Sequence, residues 1–219
     1  MTKIAVTALV TALSTLAGCA SITPTQTTES AYLVLDVKAS PNDRNALLND
    51  VTNAVKTHMS SARVNRGIPP ATLPEKPTQF RLTNPFAGSS LGALAAASGT
   101  STQVPVCDDS LLTISAADTG GMQYGESTSF FTCVVQYREG FQVNVYATFS
   151  EVTGGLTPQV IGATLAKQMV GGRSQFIPRA MNDVRTAVGR YGEVAIVDSY
   201  IPDSFRGAFV DSVSTVSKN

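Results

Sequence analysis

The stretch from residue 105 to residue 150 constrains the fold of this chain most strongly. Its last part alternates apolar and polar residues through Val143, Val145 and Phe149, which is typical of a strand with one buried face. Glu139-Gly140 is a hairpin tip between this run and the preceding strand-like run Ser129 to Tyr137. With a further run at Leu111 to Ile114, residues 105–150 predict a three-stranded antiparallel meander.

Helical spacing flanks this meander on both sides. Ser40-Pro41 begins a helix to about Met59, because Ser is a good N-cap and Pro suits the first helical position. Thr157-Pro158 begins another to about Val170, and a third runs from Ser174 to Arg190. Its apolar stripe has helical spacing throughout: Ile177, Met181, Val184, Val188 and Tyr191.

Additional strands are predicted at Ala31 to Val37, Thr78 to Thr83 and Glu193 to Ile201. Strands and helices grouped in this way predict an α+β fold, a mainly antiparallel sheet with about three helices packed on one face. Residues 31–219 form one domain, and residues 84–103 are a low-complexity loop within it. That loop is either a plain surface loop or an apolar element that touches lipid or a partner through Phe86, Leu91 and Leu94.

The N-terminus has the layout of an export signal. Lys3 gives a positive start, and Ile4 to Leu13 is an apolar run of ten residues, half of the roughly 20 that a membrane span needs. The following Leu16-Ala17-Gly18-Cys19 resembles the lipobox of bacterial lipoproteins.

This resemblance implies a signal peptide over residues 1–18, cleavage before Cys19, and lipidation of the Cys19 thiol, with a palmitate-type chain also on its amine. Residues 19–30 are then a flexible tether. The residue after the cysteine is Ala20 and not Asp. In the lipoproteins that this segment resembles, a residue other than Asp at this position implies the outer membrane, with the domain facing the periplasm. The alternatives are an ordinary signal peptide or a buried N-terminal helix.

Cys107 and Cys133 remain as an even pair once Cys19 is lipidated. In an oxidising compartment this pair predicts a disulfide. A hairpin folded about Gly120-Gly121, midway between them, would place the two cysteines opposite each other. Two buried free thiols are the alternative.

The sequence offers little for catalysis. His58 is the only His, and Gly125-Glu126-Ser127-Thr128-Ser129 lacks the second Gly of a nucleophile elbow. His58 is better explained by solvent or by the C-terminus of the first helix. The carboxylates Asp108 and Asp109 would point to opposite faces of a regular strand, and Gly171-Gly172 reads as a turn between helices. We therefore predict no catalytic residue, no cofactor and no metal.

Charge excludes one more class of partner. The 16 basic and 16 acidic side chains give zero net charge, so no electrostatic footprint for nucleic acid exists. The leading hypothesis is a non-enzymatic, lipid-anchored interaction or assembly module in an envelope protein complex. A lipid or small-molecule carrier is the first alternative, and a cell-wall hydrolase is the second.

Overall fold

The structure is a computed structural model that describes residues 25–59, 61–78, 80–97, 103–118, 126–153 and 176–203. Three sequence predictions lie outside these ranges: the lipobox with Cys19, the turn at Gly120-Gly121, and the helix from Thr157 to Val170.

Strands and helices are both present in the described ranges. The strands are β1 (Thr25–Ala39), β2 (Ala62–Arg66), β3 (Arg81–Thr83), β4 (Val104–Val106), β5 (Leu112–Asp118), β6 (Glu126–Tyr137), β7 (Gly140–Thr153) and β8 (Gly192–Tyr200). The α-helices are α1 (Arg44–His58), α2 (Ser90–Ala97) and α3 (Phe176–Val188), and a 3₁₀ turn (Pro41–Asp43) precedes α1.

Six strands form one sheet in the order β2-β5-β6-β7-β1-β8, and every neighbouring pair is antiparallel. The predicted meander is confirmed as β5, β6 and β7, although its tip is Arg138-Glu139, one residue earlier than predicted. Gly140 begins β7 close to β1, where a Cβ would overlap the carbonyl oxygen of Val37. Only glycine fits this turn without displacing β1.

Both described flanking helices follow the sequence prediction. The Ser40 side chain accepts a hydrogen bond from the backbone N–H of Asn42 and so caps the turn before α1. The apolar stripes are buried on α1 (Leu47, Leu48, Val51 and Val55) and on α3 (Ile177, Met181, Val184 and Val188). One continuous core cluster joins these stripes to alternate residues of the sheet. In the described residues the fold is mixed, with a mainly antiparallel six-stranded sheet and three helices.

The sheet has two unlike sides. On one side, which we call the helix side, Leu33, Val143 and Phe130 are almost fully buried and belong to the core cluster that also contains the apolar stripes of α1 and α3. Side chains alternate along a strand, so the residues between them face the other side. That side includes Asn144 and Cys133, which are also buried, and Phe80 and Cys107, from residues 67–110 between β2 and β5, contact it. We call residues 67–110 the insertion and this surface the insertion side.

Three sequence predictions need correction. Residues 25–30, predicted as flexible tether, belong to β1, because the long strand β7 continues to Thr153 and offers backbone partners to every residue of that run. Residues 62–66, for which the sequence predicts no strand, form β2 against β5. The predicted loop 84–103 contains α2. These three segments form strands or a helix without the apolar periodicity from which strands and helices were predicted.

Candidate functional site

A disulfide between Cys107 and Cys133 fixes the insertion to the sheet, with 6.5 Å between the two Cα atoms. The predicted pairing is confirmed, but the predicted geometry is wrong. Cys133 lies opposite Thr113 in the β5–β6 hairpin, and Cys107 lies between β4 and β5. The bond therefore joins the insertion to the centre of the sheet and does not link two neighbouring strands.

Aromatic contacts hold the insertion at a second point. The ring of Phe80 contacts Tyr32 of β1 and Tyr146 of β7, with centroids 6.1 Å and 6.0 Å apart. Next to Phe80, Arg81 donates hydrogen bonds of 3.2–3.3 Å to the Asp108 carboxylate. Phe80 and Cys107 thus fix the two ends of the β3–α2–β4 unit.

Local hydrogen bonds explain why α2 forms in a sequence that consists mostly of small residues. The side chain of Asn84 accepts from the backbone N–H of Phe86, which makes a turn. Ser89 then caps the helix, since its hydroxyl accepts from the backbone N–H of Gly92 at 3.1 Å. A Cβ at Gly92 would overlap the carbonyl oxygen of Phe86, so this helix start requires glycine there.

The β3–α2–β4 unit presents apolar side chains to solvent. Leu91 is 61% exposed and Leu94 is 68% exposed, and they lie on one face of α2. We define the insertion surface by its five exposed apolar side chains: Leu82, Phe86, Leu91, Leu94 and Val104. No charged residue occurs anywhere from Leu82 to Cys107. Exposed apolar side chains concentrated on an uncharged segment are typical of an interaction surface.

A charged cluster that sequence reasoning missed lies where the β6–β7 turn meets β1. The Lys38 ammonium contacts Glu139 at 2.7 Å, Tyr137 at 2.7 Å and Asp36 at 3.1 Å. Tyr137 in turn donates to Asp36. Only the i, i+2 spacing of Asp36 and Lys38 on one face of a strand could have suggested it.

The electrostatics of this cluster favour structure over catalysis. The Glu139 carboxylate, and then Tyr137 and Asp36, raise the pKa of Lys38 above its ordinary value. Burial raises the pKa of Tyr137, and its hydrogen bond to Asp36 raises this pKa further. An ammonium held this firmly in its charged form is a poor nucleophile or base at neutral pH. The cluster instead ties the β6–β7 turn to β1.

The candidate catalytic residues are not brought together. His58, at the end of α1, contacts Asp183 of α3 through its Nε2 at 2.7 Å, a partner that the sequence did not suggest. Ser127, at the nucleophile position of the incomplete motif, lies opposite Ser150 on the insertion side of the sheet, whereas the apolar stripe of α1 belongs to the core cluster of the other side. Within the described residues, no Ser–His–carboxylate arrangement forms.

The candidate metal and anion sites are equally uninformative. Asp108 is bound to Arg81, and Asp109 follows it in a turn with a left-handed backbone (φ 54°). No group of three or more metal-ligating side chains occurs in the part of the chain that the structure describes. The Gly171-Gly172 pair lies outside that part.

The structure and the comparisons add little on the membrane. No described helix is both long and apolar enough to cross a bilayer. The chain matches no protein-family model, and no curated protein shows significant similarity to it. The carrier and hydrolase alternatives therefore stay predictions.

Proposed function

We propose that this protein is a lipid-anchored, non-enzymatic module of the bacterial envelope that binds another envelope protein through the insertion surface. The observation that carries the proposal is the pair of exposed leucines, Leu91 and Leu94, on an uncharged helix. Their exposure leaves apolar area in contact with water, and its burial against a partner would contribute about 25 cal/mol per Å².

The lipobox and the disulfide support the anchor and the compartment. Lipidation at Cys19 would hold the domain on the membrane, where a non-Asp residue after the cysteine favours the outer membrane. The disulfide between Cys107 and Cys133 agrees with an oxidising compartment such as the periplasm.

The chain between the anchor and the domain is short. Thr25, the first residue of β1, follows Cys19 by six positions, a span of at most about 20 Å. The domain therefore stays near the membrane surface, which favours a membrane-associated partner over a freely diffusing one.

The attachment of the insertion at two points also supports binding. Phe80 and Cys107 join both ends of the β3–α2–β4 unit to the sheet, which restricts where the leucines of α2 can lie before a partner binds. Preorganisation of this kind lowers the entropic cost of association.

The arrangement of the helices is part of the same proposal. We propose one-face packing for α1 and α3, whose apolar stripes join the same core cluster. The helix α2 belongs to the insertion, where it can serve binding instead of the core.

Site-specific photo-crosslinking in intact cells tests the binding surface. A photoreactive residue at Leu94 should capture a discrete protein, whereas the same residue at Lys56, exposed on α1, should not. Leu91→Glu should abolish the captured product without unfolding the domain, because Leu91 is exposed. Equal capture at both positions, or none at Leu94, contradicts the proposal.

The anchor has its own test. Cys19→Ser should leave the precursor uncleaved and remove labelling by a fatty-acid probe. Labelling that persists in this variant would end the lipoprotein assignment without affecting the binding test.

A further inference from the structure

The two edges of the six-stranded sheet carry opposite charges. One edge strand, β2, has two arginines and no acidic residue: its sequence is ARVNR. The other edge strand, β8, has two acidic residues and no basic one: its sequence is GEVAIVDSY. Edge strands with open backbone groups are templates for pairing with another chain.

The outer edge of each strand is open in the described structure. Among the described strands, β2 pairs only with β5, and β8 pairs only with β1. Arg63 on β2 and Glu193 on β8 are both exposed, and within the described residues neither makes an ion pair or side-chain hydrogen bond. The register through the sheet places both side chains on its insertion side.

Strand direction permits the two edges of separate molecules to meet. Each strand runs opposite to its neighbour, and the number of strands is even, so β2 and β8 run in opposite directions. A second copy in the same orientation therefore brings its β2 antiparallel to β8 of the first. The alternation of the sheet then continues across the boundary.

We propose that the chain associates with itself head to tail, with β8 of one molecule pairing with β2 of the next. Within one sheet the row through Arg63 ends at Tyr200, so this pairing displaces the second copy along the strand direction. Alignment of its β2 with the first half of β8 then sets Arg63 directly opposite Glu193, or one diagonal step away, on the same face of the joined sheet. A two-fold pairing of β8 with β8 would bring Glu193 and Asp198 of both copies together, which like-charge repulsion disfavours.

An open groove at β8 fits the same partner. It has a volume of about 390 Å³ and lies between α3 and β8, with Asn182, Thr186 and Val194 in its lining. Val64, on the helix side of β2, is the residue of the second copy that would face this groove. Because the contact joins two different surfaces, it yields chains of molecules instead of closed dimers.

Charge reversal tests the pairing in the full-length protein in mild detergent. By sedimentation, Arg63→Glu and Glu193→Arg should each weaken self-association by roughly tenfold. An equimolar mixture of the two variants should restore it, because every contact in an alternating chain is again complementary. Lys56→Glu, which changes net charge as Arg63→Glu does, is the matched control and should have no effect.

Cysteine crosslinking tests the direction. The Arg63→Cys, Glu193→Cys double variant should give a ladder of dimers, trimers and larger species under mild oxidation, and each single variant should give none. The two positions lie more than about 24 Å apart within one molecule, because five strand spacings separate them and they are also offset along the strands, so the link cannot form internally.

Three results would overturn the proposal. The first is a monomeric wild type together with no ladder from the double cysteine variant. The others are an Arg63→Glu variant that associates normally and dimers from Glu193→Cys alone. Leu94→Glu should leave self-association unchanged. Failure of this pairing is therefore separable from failure of the proposed partner binding.

Discussion

The two sides of the central sheet are held by different forces. On the helix side, apolar residues such as Phe141 and Met181 are completely buried in one continuous core. On the insertion side, buried polar residues such as Gln142 and Asn144 bond to each other, and one disulfide fixes the covering segment. The first side depends on area removed from water, and the second depends on a few specific bonds.

The difference explains why apolar side chains are exposed on α2 and buried on α1 and α3. A helix packed by hydrophobic contact must bury its apolar face, as α1 and α3 do. Because α2 is fixed through Cys107 and Phe80 at the ends of its unit, its leucines are free for another contact. Four predictions, given from the largest expected effect to the smallest, test this contrast between the two sides.

The largest expected effect is on the helix side. Phe141→Ala should lower the free energy of unfolding by about 3–5 kcal/mol, because it leaves a cavity in a packed core. Leu94→Ala, on the exposed helix, should change it by less than about 0.5 kcal/mol. Urea unfolding of both variants measures the difference, and equal losses would refute the contrast.

Removal of the disulfide comes next. The paired Cys107→Ser, Cys133→Ser variant opens a loop with a sequence separation of 26, which should cost about 3 kcal/mol. Hydrogen exchange should increase mainly in the described parts of residues 80–110, while α1 and α3 keep their protection. Uniform loss of protection on both sides would show that the two sides are not independent.

The Lys38 cluster predicts a smaller effect with a definite pH dependence. Tyr137→Phe removes the hydrogen bond to Asp36 and should cost about 1 kcal/mol at neutral pH.

The folded state raises the pKa of Lys38 and of Tyr137, so it binds their protons more tightly than the unfolded chain does. The stability linked to these protons is fully present below the ordinary pKa values of 10.5 and 10.0. This contribution is lost as the pH rises through the folded-state values. Stability should therefore fall more steeply above about pH 10 in the wild type than in Lys38→Met. Parallel curves in chemical unfolding would exclude the cluster as the cause.

The smallest effect is expected at His58. Its contact with Asp183 joins the end of α1 to α3, but Asp183 is half exposed. His58→Ala should therefore cost less than about 1 kcal/mol. A loss as large as that of Phe141→Ala would mean that this contact, and not apolar burial, holds the two helices together.

Much of the fold could be predicted from local pattern. Alternation identified the strands around Val143 and Ile114, and helical spacing identified the stripes of α1 and α3, because burial on one face leaves a period in the sequence. The strand β2 left no such period. It lies at the edge of the sheet, where three of its five residues are exposed.

The sites were less predictable. The even number of cysteines left after Cys19 predicted the disulfide partners correctly. The predicted position of the bond was wrong, because the midpoint between the two cysteines does not show that Cys107 belongs to a segment that packs on the sheet. The Lys38 cluster and the contact between His58 and Asp183 join residues about a hundred positions or more apart, so no local pattern contains them.

By itself the sequence determined the antiparallel meander, the apolar faces of α1 and α3, and the pairing of Cys107 with Cys133, since these follow from periodicity and composition. The tertiary structure alone places the insertion, leaves its leucines in water and puts opposite charges at the two edges of the sheet. Those outcomes depend on strand order and register, which are set by contacts between distant residues and leave no trace in neighbouring ones.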